Sequence, residues 1–203
     1  MVESTQLMND ARFATGLTYE AYKAQMKQNR ERFEQHEKSL TLDPADVAAF
    51  KAMPKRNVVV LTEDWCSDAV ATLPLLAAIA QASGTLDVRI FFRDQPQNAD
   101  IRDSHLNRGK FQSIPMFVFF DEGWRELGTW WEKAAVIYEM RERMINELYA
   151  SEPSRPQRGQ PFGELPEDVR VRLSAGYWKI RDDTTPLSNQ EVLRELRELL
   201  GAR

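Results

Sequence analysis

Short apolar segments alternate along this chain with segments of helical periodicity, and this alternation restricts the fold more than any other feature. Residues 57–62 form a continuous apolar run typical of a strand buried on both faces, and residues 86–93 and 116–120 also predict strands. A turn signal at 121–123 leads into a fourth strand over 124–129. Strands separated by helices predict parallel pairing, and the closing hairpin predicts an antiparallel edge. We therefore expect a mixed α/β sheet covered by helices on both faces.

Further helices are predicted on either side of the sheet. A charged segment over residues 18–38 carries apolar residues at helical spacing, and Asp43-Pro44 marks the start of another helix. An amphipathic helix is predicted over residues 133–149. The chain then becomes rich in proline and glycine over residues 151–166. A capping-box sequence that begins at Ser188 predicts a last helix near the end of the chain.

Length and composition favour one main domain with extensions. The chain has 203 residues, of which 42% are apolar, enough for a substantial core. We expect an N-terminal helical extension packed on the core (1–54), a main domain (55–150), and a proline-rich linker with a C-terminal helical tail (151–203). The net charge is −4, and no apolar run reaches the length of a membrane span. Neither nucleic acid nor a membrane is therefore an expected partner.

The chain contains one cysteine, Cys66, placed between the first predicted strand and the helix that follows it. The helix dipole and the free N–H groups of a first helical turn favour the thiolate at such a position. A single cysteine cannot form an intramolecular disulfide and fits a reducing compartment. Because residues 1–16 also lack a secretory signal, a cytoplasmic location is expected.

Residues 55–150 resemble a thioredoxin-like domain. The resemblance rests on the Trp65-Cys66 pair, on Pro74 within the next helix, and on Ile114-Pro115 before the third strand, where thioredoxins carry a cis-proline. The sequence of residues 63–68 is most similar to a bacterial branch of the family that usually reads Glu-Asp-Trp-Cys-x-Asp-Cys. The resemblance implies a thioredoxin-like mixed sheet flanked by helices, with N-terminal helices and a C-terminal extension.

Two positions depart from the pattern of that family. Ala69 stands where the resolving cysteine is expected, and Val60 stands where thioredoxins bury an aspartate. Glu63, Asp64 and Asp68 are the acids near enough in sequence to replace the missing proton acceptor. Reduction of an intramolecular disulfide by a dithiol route would therefore be closed to this chain.

The resemblance also implies roles for the residues around Cys66. Cys66 is expected to be the nucleophile, and Asp68 is expected to move a proton, although an acid in a first helical turn also stabilises the helix by itself. The candidates for substrate binding are Trp65, Ser67, Ile114 and Pro115. Each has a structural alternative, namely rim packing for the tryptophan, helix capping for the serine, and an ordinary strand start for the Ile-Pro pair.

Two functions follow from this sequence. The first is monothiol thiol-disulfide exchange through Cys66, with a protein or small-thiol disulfide as substrate and an external thiol to resolve the intermediate. No bound cofactor or metal is expected, and a glutathione-like low-molecular-weight thiol is the candidate co-reactant. The second is a redox-inactive binding module that keeps the thioredoxin fold. The sequence leaves the oligomeric state open.

Three further groups of residues have a functional and a structural interpretation. The first group consists of three tryptophans, which either form the wall of a groove or pack in the core: Trp124, Trp130 and Trp131. The second group consists of polar residues near strand ends, namely Arg93, Asp94, Arg108 and Lys110. A basic member of this group could bind the carboxylate of a tripeptide thiol, or all four could be solvated loop residues. The histidines, His36 and His105, lack a ligand pattern for zinc and are expected at the surface.

Overall fold

The computed structural model describes residues 7–152 and 160–202 of the chain. The α-helices are α1 (Asp10–Phe13), α2 (Tyr19–Gln25), α3 (Arg30–Ser39), α4 (Pro44–Lys51), α5 (Ser67–Ser83), α6 (Ala99–Ser104), α7 (Ala135–Ser151) and α8 (Glu167–Leu200). The strands are β1 (Arg56–Thr62), β2 (Leu86–Phe92), β3 (Met116–Phe120) and β4 (Glu126–Trp131). Short 3₁₀ turns lie at Pro96–Asn98 and Phe162–Glu164.

The four strands form one mixed sheet in the order β2-β1-β3-β4. β1 pairs with β2 in parallel, as predicted, and β4 pairs with β3 as an antiparallel edge. β3 is antiparallel to β1, so the expectation of parallel pairing for every strand that follows a helix is wrong at this position. The mixed sheet flanked by helices, with helices before and after it, confirms the predicted fold class.

The direction of β3 determines which residues meet at one end of the sheet. Met116 at the start of β3 pairs with Leu61 near the end of β1, whereas Phe120 pairs with Asn57. The chain therefore enters β3 at the edge where β1 ends. Ile114 and Cys66, which flank these two strand ends, lie close together for that reason.

Side chains on both faces of the central strands are buried. One face holds a cluster to which α1 and α6 contribute, and its members are Met8, Phe13, Val59, Leu61, Phe91, Ile101, Met116, Val118 and Phe120. α5 packs against α3, α4 and β2, while α2 packs against β2. Burial on both faces explains why β1 and β3 are uninterrupted apolar runs in the sequence.

The charged segment over residues 18–38 forms two helices, so the prediction of one helix there is wrong. α2 ends at Met26, whose backbone is extended, and α3 begins after Asn29, which has a φ of +57°. Asp64 accepts hydrogen bonds from the backbone N–H groups of Lys27 and Gln28 at 2.6 and 3.2 Å. This long-range contact satisfies N–H groups that a continuous helix would have used internally.

The chain divides into two compact units. The first comprises Met1–Glu132 with Val192–Arg203, and the second comprises Lys133–Glu191. In the first unit, Arg197 forms an ion pair with Asp46 at 2.9 Å and Glu195 accepts a hydrogen bond from the indole of Trp130 at 2.8 Å. In the second unit, Leu165 from the segment before α8 packs with residues of α7 and α8 in a cluster that also contains Tyr149, Val169 and Leu173.

The last helix is much longer than the capping-box pattern predicts. α8 runs from Glu167 to Leu200 without a break, and Ser188 lies buried inside it rather than at its start. The hydroxyls of Thr184 and Thr185 donate to the carbonyls of Ile180 and Arg181 within the helix. Of the proline-rich segment predicted over residues 151–166, residues 153–159 lie outside the described residues, and Phe162–Glu164 form a 3₁₀ turn.

Candidate functional site

Cys66 lies at the junction of β1 and α5, where it occupies the N-cap position of a 17-residue helix. Its side chain makes no capping hydrogen bond, and its backbone N–H donates to the carbonyl of Glu63 at 3.1 Å. The residue is 6% exposed. The thiol is therefore set at the positive end of a helix dipole, close beneath the surface.

The thiol faces the residue that precedes β3. Cys66 Sγ donates a hydrogen bond to the carbonyl oxygen of Ile114 at 3.3 Å, across 48 positions of sequence. The Ile114–Pro115 peptide bond is cis. Both Ile114 and Pro115 are buried. Ile114 therefore faces the thiol with its backbone carbonyl and not with its side chain.

Trp65 is the exposed member of the site. Its side chain is 43% exposed, and the guanidinium carbon of Arg93 lies 4.9 Å from the centre of its ring. Arg93 also pairs with Asp94 at 2.8 Å. The residue that directly precedes Cys66 thus presents an exposed aromatic ring with a cation over it.

Ser67 and Asp68 form the first turn of α5. Both are half-buried, and Asp68 is the acidic residue of that turn, where a negative charge stabilises the helix dipole. The carbonyl of Asp68 accepts a hydrogen bond from the hydroxyl of Thr72 at 3.0 Å. Both residues therefore follow Cys66 directly, at the start of α5.

The two acids that precede Trp65 have structural partners. Glu63 is buried, and its Oε1 accepts a hydrogen bond from the backbone N–H of Asp94 at 2.7 Å. Burial raises the pKa of the Glu63 carboxyl above its ordinary value of 4.5. Asp64 holds the segment between α2 and α3 through the hydrogen bonds to Lys27 and Gln28.

The strand position at which thioredoxins bury an aspartate is Val60 on β1. Val60 is fully buried and is paired in register with Ile90 and Phe117, so its surroundings in the sheet are apolar. Ala69 is also fully buried, on the first turns of α5. Pro74 lies buried inside the same helix.

Two buried hydroxyls that no local sequence pattern points to lie at this end of the sheet. Tyr22 on α2 and Thr62 at the end of β1 are fully buried, and their hydroxyls are neighbours. Burial raises the pKa of Tyr22 far above its ordinary value, and the charges of Asp64 and Cys66 raise it further. In the sequence, Tyr22 is one member of the apolar stripe of a helix, and nothing local relates it to Cys66.

The other aromatic candidates are anchored by packing and hydrogen bonds. The indole N–H of Trp124 donates to Asp10, and its ring packs edge-on against Phe13. Trp130 stacks on Phe117 at 5.0 Å, and the indole of Trp131 donates to the carbonyl of His105. These contacts support the packing interpretation of the three tryptophans.

The expectation of surface histidines is wrong. His36 is buried on α3, and the side chain of His105 is largely buried, with Nε2 at 3.1 Å from Glu126. In residues 7–152 and 160–202, no three or more His, Cys, Asp or Glu side chains come together as metal ligands. Within the same residues, none of the helices combines the length and the apolar character that crossing a bilayer requires.

A comparison with protein-family models decides the family. The model described as thioredoxin matches residues 16–145. The chain belongs to the thioredoxin family. The match includes the whole sheet, α5 with Cys66 at its N-terminus, and helices α2 to α4. No curated protein matches the chain.

Two crystal structures share the fold of this thioredoxin-family chain. An HIV epitope scaffold is 13% identical to it with a TM-score of 0.61, over 97% of this chain and 99% of the scaffold. A protein of unknown function from Pseudomonas aeruginosa is 13% identical with a TM-score of 0.55, over 91% of this chain and 99% of that protein. At this level of identity the likeness extends to the fold alone.

Proposed function

We propose that this thioredoxin-family protein carries out monothiol thiol-disulfide exchange through Cys66 and relies on an external thiol to complete each cycle. The observation that carries the proposal is the position of the thiol. Cys66 caps the N-terminus of α5, and its Sγ lies 3.3 Å from the carbonyl of Ile114. A thiol at a helix N-terminus is in the setting in which thiolates are stabilised and become nucleophilic.

The exchange has two steps. In the first step, the Cys66 thiolate attacks one sulfur of a substrate disulfide, and a bond forms between the two sulfurs while the disulfide bond breaks. The other substrate sulfur leaves as a thiolate and takes a proton that Asp68 relays from water. In the second step, an external thiolate attacks the sulfur bound to Cys66 and releases Cys66 as a thiolate. Because position 69 is an alanine, the second thiol must come from solution or from another protein.

The surroundings of Cys66 suit an extended peptide or a peptide-like small thiol. Ile114 offers its backbone at the start of β3, and an extended chain pairs with such a segment through main-chain hydrogen bonds. Trp65 offers an exposed ring beside the cation of Arg93, which is suited to a carboxylate of a glutathione-like thiol. Ser67 and Asp68 complete the rim of the site, and Asp68 is the acid we assign to proton transfer at the leaving sulfur.

The proposal includes the setting in which the protein works. The reaction requires no bound cofactor, and it requires a reducing compartment that supplies the external thiol, for which the cytoplasm is the natural choice. A substrate protein or a small disulfide is the partner that we assign to it.

Disulfide exchange with oxidised glutathione tests this function directly. We expect the native chain to gain one glutathione by intact mass, and an excess of reduced thiol to remove it. Cys66 is the only cysteine in the sequence, so Cys66→Ala serves as the control and should gain nothing. A native chain that stays unmodified, while the same chain reacts in urea, would refute the proposal.

One observation favours the redox-inactive binding module as a second candidate. Cys66 is only 6% exposed, and the apolar surroundings of Val60 provide no acid on β1. A binding module would retain its partner when the thiol is removed. Binding of an extended peptide that is equal in the wild type and in Cys66→Ala, together with an unreactive thiol, would favour this function.

A further inference from the structure

The outer edge of β2 already binds an extended stretch of this chain at one residue. β2 is an edge strand, and Leu17 bridges to it in the antiparallel direction. The N–H of Leu17 donates to the carbonyl of Ile90 at 2.9 Å, and the N–H of Ile90 donates back at 2.8 Å. Gly16 permits this approach, because a Cβ there would lie 2.7 Å from side-chain atoms of Arg89 and Phe91. The fold thus pairs backbone with this edge, but only at its far end.

The same edge continues over Val88 and Leu86. The carbonyl of Thr85 accepts the N–H of Arg56 on the β1 side, at 2.8 Å, whereas Ile90 bonds on the opposite side. Because the main-chain groups of alternate residues point to the same side of a strand, those of Val88 and Leu86 point outward, as those of Ile90 do. In the part of the chain that the structure describes, no strand follows β2 on this side of the sheet. Such an edge is a template for pairing with another chain.

A groove of about 580 Å³ lies along this part of the edge, within the size range of ligand sites in proteins. Its apolar lining is made of small or short side chains from α5, from the end of α3 and from β2 itself, namely Pro74, Ala77, Ala78, Leu40, Leu86 and Val88. Leu86 and Val88 therefore contribute both side chains to the groove and main-chain groups to the open edge. A strand laid along β2 would place alternate side chains in the groove.

The polar side of the groove carries a negative charge. Glu20 and Glu37 line it and share the ammonium of Lys23, at 3.5 and 3.0 Å. The hydroxyl of Tyr19 donates to Glu37 as well. The side chain of Glu20 is 79% exposed, whereas that of Lys23 is only 15% exposed. Two carboxylates with one ammonium between them favour a ligand that brings a second cation.

We propose that the open edge of β2 docks an extended segment of a partner protein, in which a lysine or arginine stands beside small apolar residues. Its main chain pairs with Val88 and Leu86, and its cation approaches Glu20. In this mode of recognition main-chain hydrogen bonds give affinity, and the contacts of alternate side chains give specificity. The docking site goes beyond the proposed exchange reaction, because its residues differ from those around Cys66.

A second copy of this chain fits the edge less well than such a segment. Antiparallel pairing that joins Val88 of each copy to Leu86 of the other places Asp87 of both copies opposite each other. Like charges directly opposite each other destabilise a strand pair. The charge on the edge therefore favours a basic partner.

Selection from a phage-displayed library of random heptapeptides tests the site, with the full native chain as bait. Val88→Pro removes the N–H that points outward, and proline is tolerated on the open side of an edge strand, so we expect the variant to fold. The enriched peptides should carry Lys or Arg and should bind Val88→Pro about tenfold more weakly or worse, as expected for lost main-chain hydrogen bonds. Val88→Thr keeps the N–H and the branched shape, and as the matched control it should bind like the native chain.

Two further variants test the groove and its charge. Ala77→Phe fills the groove from α5 and should abolish binding, and it provides the test if Val88→Pro does not fold. Glu20→Gln should weaken binding about two- to fivefold, as expected for the loss of an exposed ion pair. Glu31→Gln, at an exposed position of α3, is its control and should have no effect.

Several outcomes would overturn the proposal. One is a library without enrichment over Val88→Pro, and another is peptides that bind Val88→Pro and Ala77→Phe as tightly as the native chain. A dimer that Val88→Pro dissociates would assign the edge to a second copy, and binding that appears only after deletion of residues 1–6 would assign it to this chain. Cys66→Ala should bind the peptides unchanged, which separates this test from that of the exchange reaction.

Discussion

Cys66 and Glu63 show how differently two ionisable residues of one loop are used. The thiol lies beside the backbone of Ile114 at a helix N-terminus, a position that favours the ionised form of a cysteine. The carboxyl of Glu63 is buried three residues earlier and accepts the N–H of Asp94, which joins the loops that follow β1 and β2. Proximity in sequence to the nucleophile therefore does not make an acid part of the reaction.

The burial of Glu63 has a consequence for the pH dependence of stability. Its pKa is raised in the folded state, so between its ordinary value of 4.5 and the raised value the folded chain binds more protons than the unfolded chain. Stability from this residue is therefore present at low pH and is lost as the pH rises through that interval. Each unit of the shift corresponds to about 1.4 kcal/mol.

Glu63→Gln tests this dependence because it keeps an oxygen acceptor for Asp94 and removes the titration. We expect the variant to become progressively more stable relative to the wild type as the pH rises above 4.5, in urea unfolding at several pH values. Glu122→Gln, at an exposed turn residue, is the control and should show no such trend. A constant difference between Glu63→Gln and the wild type across the range would contradict the expectation.

The helix α5 is defined by its two ends. Cys66 caps its start, and Gly84 at its end has a φ of +70°, the left-handed conformation that glycine adopts without strain. Apart from the adjacent residues of the chain, no atom lies within 4 Å of the position that a Cβ would take at Gly84. The requirement for glycine there is therefore conformational and not steric.

Gly84→Ala should lower the free energy of unfolding by about 1 kcal/mol, the usual cost of the left-handed conformation for an L-residue. Gly163→Ala is the matched control, since it also has open space around its Cβ position but no positive φ. It should be neutral or slightly stabilising. Equal losses from the two variants, in denaturant unfolding, would show that the helix end is not the cause.

For the chain as a whole, the helices before the sheet contribute to the core of the first unit. Phe33 on α3 and Phe50 on α4 are fully buried, and both helices pack against α5. Residues 1–132 belong to the same compact unit. The division of residues 1–54 from the main domain, made on the sequence, stays a prediction that unfolding experiments can test.

Phe33→Ala distinguishes an integral part of the core from a loosely attached extension. If α3 unfolds together with the sheet, the substitution should cost about 3–5 kcal/mol in the single unfolding transition of the first unit. Phe111→Ala, at a site that is 57% exposed, should change stability by less than about 0.5 kcal/mol. A separate early transition in the Phe33 variant, with the sheet unaffected, would support an extension that unfolds independently.

Local patterns in the sequence were enough to place most elements of the sheet and the junction that carries Cys66. The predicted strand over residues 116–120 agrees with β3, and the helix predicted after Cys66 is present as α5. Such patterns are reliable here because both faces of β1 and β3 are buried, which makes their apolar runs unambiguous. The Trp65-Cys66 and Ile114-Pro115 pairs then indicated the family.

Contacts between residues that are distant in sequence were decided by the tertiary structure. The antiparallel direction of β3, which places Ile114 beside Cys66, depends on where the chain re-enters the sheet and not on the composition of the strand. The break between α2 and α3 depends on hydrogen bonds that Asp64 accepts, and the position of Tyr22 depends on its packing against Phe92. Local sequence patterns were enough to place a thiol at the N-cap of a helix that follows a buried strand. That the thiol faces the carbonyl of Ile114 follows from packing, which acts between segments that no local pattern relates.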